Sequence, residues 1–325
     1  MEVKELSLTS ADRWNTFVDS SPQGSLFSKT WYLDAIGVTY KILVVERGED
    51  ICAGMILSNW KGLWTFGPMQ KYTGILFTNF DGAAYAIGTN QRAAVKLLLE
   101  QARGLGTFDY FFHPTYTDWL LWYQAGFKET TYYTYRIGLT DKTDEDLINL
   151  CAPRLRTKIR KAAKDASLEI IEGLEPDLFY EVNSKTFERQ GGKMPISKQL
   201  FLKLYKTLAA ENNIALYAMK NAQGEISSVL GIAFDKGAAY LLFSGFDNTR
   251  KDGGHNELLI YSAICKARSR VATFDFEGSM LPGIESFYRQ FGGVLTPYFR
   301  IYRPSLLNWA KQSGIKYYKK LVYGK

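Results

Sequence analysis

Cysteine is scarce in this chain. Cys52, Cys151 and Cys265 are odd in number, far apart and without a C-x-x-C partner, so the sequence offers neither a disulfide framework nor a thiolate zinc site. A reducing compartment is the expectation, and no metal is expected. Histidine is scarcer still, at His113 and His255, and no Ser-His-Asp or Cys-His arrangement can be assembled, which argues against a covalent intermediate. No run of about 18 apolar residues occurs. Met1-Glu2-Val3-Lys4-Glu5 places acids where a secretory signal needs a basic start and an apolar stretch. The chain is read as neither secreted nor membrane-spanning, with a cytoplasmic location expected.

What is present is the composition of a soluble globular protein, 46% apolar and 22% charged. At 325 residues the length exceeds one ordinary domain, so two domains are expected. Aromatic residues reach 15%, many in alternating runs such as Tyr132-Tyr133-Thr134-Tyr135, which favours sheets and aromatic-lined clefts. The net charge of +7 is spread unevenly, with basic excess in 154–164 and 311–325. That points to an anionic ligand or surface, for which phosphates, tRNA and acidic lipids all qualify.

The order of residues reads as one unit written twice: Phe108-Asp109-Tyr110 followed by Trp122-Tyr123-Gln124-Ala125-Gly126-Phe127 corresponds to Phe274-Asp275-Phe276 followed by Phe287-Tyr288-Arg289-Gln290-Phe291-Gly292-Gly293. Each copy then enters an aromatic strand containing Arg-Ile, at Arg136-Ile137 and Arg300-Ile301, at an offset of about 165 residues. Periodicity predicts strands near 41–47, 51–60, 63–67 with 74–78, 107–112 and 132–139, and helices near 11–20, 29–36, 90–103 and 118–125. In the second half it predicts helices near 144–166, 176–188 and 197–210, then strands near 214–220, 226–235 and 238–246. A helix near 256–269, a strand at 272–277, a helix at 283–290 and a last strand at 295–302 complete it. The polar run 140–146 reads as the linker, giving a first domain of 1–140 and a second of 141–325 that ends in a basic amphipathic helix from Trp309. A mixed α/β sheet with helices on both faces is the expected fold class.

Four stretches resemble the FemAB-like branch of the GNAT acyltransferase superfamily. They are Trp14-x-x-Phe17 with Ser21-Pro22-Gln23-Gly24-Ser25-Leu26-Phe27 and Trp31; Gly67-Pro68 with Tyr72-Thr73-Gly74-Ile75; Arg156-x-x-Ile159-Arg160-Lys161-Ala162; and Asp275-Phe276-Glu277-Gly278-Ser279-Met280 with Gly283-Ile284-Glu285-x-Phe287-Tyr288-x-x-Phe291-Gly292. The resemblance implies a tandem duplication of the GNAT-like N-acyltransferase fold and transfer of an acyl or aminoacyl group onto an amine. The donor would be acyl-CoA or aminoacyl-tRNA. The acceptor would be an amine-bearing cell-envelope precursor, sugar or peptide. A monomer is expected, with tRNA and a peripheral membrane contact as further candidate partners. A non-catalytic RNA- or glycan-binding protein is the rival reading. One departure stands out: where CoA-using relatives carry R/Q-x-x-G-x-G/A, this sequence reads Arg250-Lys251-Asp252-Gly253-Gly254-His255-Asn256, without the last glycine or alanine.

Candidate site residues follow. Glu277, at a strand end, could take the proton of the attacking ammonium or merely pair with a base; Asp275, two residues earlier on the same face, is the reserve base. Arg250, Gly253, Gly254 and Asn256 precede or open a helix whose free N–H groups suit an anion, although an ordinary glycine-rich turn reads the same way. Phe243, Ser244 and Tyr288 are candidates for lining the donor cleft, and Arg300 and Arg303 are candidate clamps for an anionic donor. On the acceptor side stand Lys71, Tyr72 and His113 of the first half, with Arg156 and Arg160. The last two lie on a basic helix whose apolar stripe is Leu155, Ile159, Ala162 and Ala166; its cations either face solvent or contact phosphate.

Overall fold

A computed structural model describes residues 1–189, 191–221, 223–246 and 253–303. The chain divides into two compact units, one of Met1–Tyr132 with the segment that begins at Pro297, the other of Tyr133–Thr296. The first contains β1 (Glu2–Leu6), α1 (Ala11–Ser20), α2 (Thr30–Ile36), β2 (Thr39–Arg47), β3 (Asp50–Trp60), β4 (Leu63–Trp64), β5 (Leu76–Phe77), α3 (Ala84–Arg103), β6 (Asp109–Phe111) and α4 (Leu120–Gln124). β7 (Lys128–Gly138) leads into the second unit, with α5 (Asp144–Leu150), α6 (Pro153–Ala162), β8 (Glu169–Glu172), α7 (Pro176–Arg189), α8 (Lys198–Ala210), β9 (Ile214–Lys220), β10 (Ile226–Phe234) and β11 (Ala238–Phe246). Then follow α9 (His255–Ala267), β12 (Thr273–Asp275), α10 (Pro282–Arg289) and β13 (Val294–Tyr302).

In the first unit β1, β2, β3 and β4 form an antiparallel sheet, and β5 also pairs with β3. β3 is buried along seven successive residues, as a strand covered on both faces must be. Ala94, Val95, Leu98, Leu99 and Ala102 form the apolar stripe of α3 and join the core with Leu43, Val45, Met55 and Leu57. β6 takes β13 as its antiparallel partner through Arg300, Ile301 and Tyr302. The strand that follows α10 therefore completes the unit built from the first 132 residues. A chain ending at residue 140 lacks that strand, so expressed alone it should be insoluble or unfolded by circular dichroism; a soluble, cooperatively melting fragment would contradict this pairing.

In the second unit β7, β12, β11, β10, β9 and β8 lie side by side, all antiparallel except β11 with β12. α5, α6 and α9 bury Leu147, Leu155, Ile159, Leu259 and Ile264 on one face of this sheet. On the other face Phe179 of α7 and Phe201 of α8 stack with each other and meet Phe243 of β11 edge-on.

Most predicted elements are present. The helix expected over 144–166 is two, because Cys151, Ala152 and Pro153 interrupt it and Pro153 opens α6, where its missing N–H is harmless. Leu155, Ile159 and Ala162 are buried as the stripe requires, whereas Ala166 lies past the helix end and is exposed. The polar run 140–146 supplies Thr143, which caps α5 reciprocally with Asp146. β1 and β8 were not foreseen. The expected tail helix lies outside the described residues.

Candidate active site

The parting of two strands makes the site. β11 and β12 pair in parallel only at Ala238, Ala239 and Tyr240. β12 ends at Asp275, while β11 runs six residues further, to Phe246, still held on its other edge by β10. A bulge marks the same place: Gly231 pairs with Phe243 and Ile232 with Leu241, leaving Leu242 extra. The extra residue turns Phe243 and Gly245 toward α7 and α8. Ser244 and Phe246 instead line a cavity of about 470 Å³ beside the free edge.

The turn after β12 builds one wall. Asp275 is fully buried. Its Oδ1 accepts the Thr134 hydroxyl at 2.6 Å and the Glu277 N–H at 2.8 Å, and its Oδ2 lies 3.3 Å from Arg136 Nε. Glu277 and Gly278 then adopt φ of +55° and +67°, turning the chain off the sheet. A side chain at Gly278 would collide with the Tyr133 carbonyl oxygen, so only glycine fits there. Glu277 itself is buried, 8% exposed. α10 follows, with Pro282 in its first turn, and contributes Gly283, Ile284, Phe287 and Tyr288 to the cavity. Burial, and next the negative charge of Glu277, push the Tyr288 phenol well above the usual tyrosine range.

The opposite wall is the start of α9. Gly254 occupies the cap position at φ +110°, and a Cβ there would lie 2.9 Å from Lys158 Cγ and 3.0 Å from the Lys158 carbonyl oxygen. The glycine thus lets the start of α9 touch α6. Across this contact Lys158 donates to Glu257 Oε1 at 2.7 Å, and Lys158, Asn256 and Glu257 all face the cavity. α7 adds Thr186 and Phe187. Thr186 donates its hydroxyl to the Phe246 carbonyl at 3.2 Å. The result is a cavity lined by the Tyr288 phenol, the Lys158–Glu257 ion pair and the rings of Phe187, Phe246 and Phe287, with the Glu277 charge close to Tyr288. Among the described residues there is no cluster of ligand-type side chains able to hold a metal ion.

Residues 152–289 match the family described as Acetyltransferase (GNAT) domain. Over the whole chain the structure is similar to that of FemX, with a TM-score of 0.70 at 17% identity over 92% of this chain and 97% of that one. The chain has the tandem GNAT fold. It is also similar to a tandem GNAT protein from the clavulanic acid biosynthesis pathway, TM-score 0.56 at 11% identity, covering 94% of this chain and 99% of that one. L-PGS from Bacillus licheniformis gives TM-score 0.56 at 12% identity, covering 93% of this chain and 94% of that one. No curated protein sequence matches the chain.

The tandem GNAT fold gathers part of the predicted site and leaves the rest elsewhere. Ser244, Asn256 and Tyr288 line the cavity and Gly254 shapes it, whereas Glu277 is not among the lining residues and is close enough for its charge to act on Tyr288. Gly253 is exposed beside it. Arg250 lies outside the described residues. Phe243 does not line the cavity, because the bulge turns it into the aromatic packing of α7 and α8. Arg300 and Arg303 are packing residues of the first unit and not donor clamps. Arg300 is buried and grips both oxygens of Asp109 at 2.7 Å, and Arg303 donates to the carbonyls of Arg103 and Leu105.

Arg156 donates to the carbonyls of Asn149 and Cys151, covering the C-terminal end of α5, and Arg160 pairs with Glu145 at 2.6 Å. Neither reaches the cavity. Tyr72 and His113 do come together in the first unit, edge to face at 5.6 Å, with Tyr298 on the other side of Tyr72 at 5.3 Å. Both rings are buried, Lys71 is half-buried next to them, and none of the three is among the residues that line the cavity. Sequence reasoning missed Lys158, Thr186, Phe187 and Glu257. A usable signal existed for Lys158 alone, since it stands in the motif helix between Arg156 and Arg160 that drew attention.

Proposed function

We propose that the chain is an N-acyltransferase that takes its acyl group from an acyl-CoA thioester in the cavity of the second unit and delivers it to a primary amine. The amine of a cell-envelope precursor, sugar or peptide is the acceptor class in this reading. The observation that carries it is the parting of β11 from β12 beside the start of α9. An unpaired strand edge can hold an extended amide-bearing arm by backbone hydrogen bonds, a helix start suits the donor's phosphates, and the carbonyl carbon is then directed toward Glu277 and Tyr288.

In this mechanism the amine nitrogen attacks the thioester carbonyl and forms the C–N bond. Glu277 accepts the ammonium proton, directly or through one water. The C–S bond breaks, the electron pair leaves on sulfur, and the Tyr288 hydroxyl donates its proton to the departing thiolate. Asp275 acts as a positioning residue, because its Oδ1 holds the Glu277 N–H. Positioning of the two substrates contributes more than either side chain.

Aminoacyl-tRNA is the less favoured donor. On α6, the helix that would meet its phosphates, Arg156, Lys158 and Arg160 are committed to partners inside the unit. Thermal shift of the full chain against acetyl-CoA, longer acyl-CoAs, charged tRNA and a nucleotide-linked muropeptide tests the assignment. A donor at about 100 times its Kd adds about 2.7 kcal/mol, so at least one acyl-CoA should raise Tm by several degrees and tRNA should not. A melting curve unmoved by every acyl-CoA would remove the donor assignment.

A further inference from the structure

Asn183 of α7 is a buried polar group that neither packing nor the proposed chemistry uses. It is 1% exposed, and neither its Nδ2 nor its Oδ1 has a hydrogen-bond partner among the described residues. A buried carboxamide with both ends unmet is costly to the fold, and an aliphatic residue of similar size would serve packing better. Asn183 is not itself among the residues that line the cavity, but its neighbours are. Thr186 and Phe187, three and four residues on, share its helix face and line the cavity. The carboxamide stands over Gly245, where an added Cβ would lie 2.6 Å from Asn183 Oδ1 and 3.0 Å from Thr186 Oγ1. Gly245 sits between Ser244 and Phe246, both cavity residues, on the part of β11 that β12 no longer covers.

We propose that Asn183 is a specificity-determining, positioning residue that pairs its carboxamide with a secondary amide of the substrate lying at the free edge of β11. A carboxamide offers one N–H donor face and one carbonyl acceptor, the complement of an amide's carbonyl and N–H. Gly245 leaves no side chain between the two. The amide belongs either to the arm of the thioester donor or to the acceptor. The inference rests on the N-acyltransferase reading.

The test uses the full chain and Asn183→Leu. In the free protein the variant should melt at or above the wild-type temperature, because an unmet polar group has been removed; a Tm several degrees lower would mean that Asn183 is satisfied in the fold and would overturn the proposal. Affinity is then measured for CoA and for adenosine 3′,5′-bisphosphate, which lacks the amide arm. A donor amide predicts a loss of about tenfold for CoA alone. If CoA is unaffected, kcat and KM are compared for Nα-acetyl-lysine methylamide and hexylamine at saturating acetyl-CoA. An acceptor amide predicts that wild type prefers the first by about tenfold in kcat/KM, and that the variant loses the preference through KM with kcat retained. Equal behaviour of variant and wild type in both arms rejects Asn183 as a reader of substrate. A wild-type protein that binds no CoA and acylates neither amine rejects the N-acyltransferase reading itself, whatever Asn183→Leu does to Tm.

Discussion

Tyr288→Phe is expected to lower kcat about 100-fold while acetyl-CoA affinity changes by less than about twofold. The phenyl ring keeps the contact with Phe276, 4.9 Å between centroids, and loses only the hydroxyl. A proton donor must be protonated to act, and both burial and the Glu277 charge raise the Tyr288 pKa. The alkaline limb of the wild-type kcat/KM profile should therefore lie above pH ~10, the value of a free tyrosine. Glu277→Gln removes one of the two upward causes and should bring that limb down in pH, together with a loss of about 100-fold in rate at neutral pH. A Tyr288→Phe enzyme with wild-type kcat, or an alkaline limb indifferent to Glu277→Gln, would take Tyr288 out of the reaction.

Arg300→Met is expected to destabilise the first unit by about 3–5 kcal/mol, the range for breaking a buried ion pair from one side. Asp109 is fully buried, and Arg300 Nε and Nη2 reach its two oxygens at 2.7 Å each. The guanidinium also lies 5.7 Å from the centre of the Phe66 ring and 5.8 Å from that of Phe111, so the methionine keeps some of the packing. What it cannot do is satisfy the carboxylate. The double variant Asp109→Leu with Arg300→Met should recover most of the loss, since two apolar residues leave no buried charge behind. Urea unfolding of the full chain followed by circular dichroism measures both. A single variant within about 1 kcal/mol of wild type would show that the pair is solvated in solution and that β13 is held to β6 by other contacts.

Arg300 also marks the limit of sequence reading. It lies on an aromatic strand that Arg303 directly follows, in a basic chain, which made an anion clamp the natural expectation. Its true partner is 191 residues away, reached because β13 pairs with β6. The same holds for Arg156 and Arg160. Their spacing on the helix was readable, but the carbonyls at the end of α5 and the carboxylate of Glu145 that occupy them were not. Phe243 failed for a local reason, because one extra residue in β11 reverses which side chains face the cavity. Asn183 and Glu257 carried no signal at all. A polar residue on an amphipathic helix reads as solvent-facing until something is known to cover it.

The sequence by itself determined the kind of elements and their order, since period-2 and period-3.6 patterns, Pro153 at a helix start and glycines at positive φ such as Gly254 and Gly278 act over a few residues. It also carried the Asp275-Phe276-Glu277-Gly278 motif, in which the bond from the Glu277 N–H to Asp275 is local, while Thr134 and Tyr135 of β7 hold the same turn from far along the chain. Tertiary structure alone decided which charges are spent on the fold and which are left for chemistry. That depends on where β11 parts from β12 and on what α6, α7 and α9 bring to the gap, and contacts between residues tens to hundreds of positions apart leave no periodic trace in the chain.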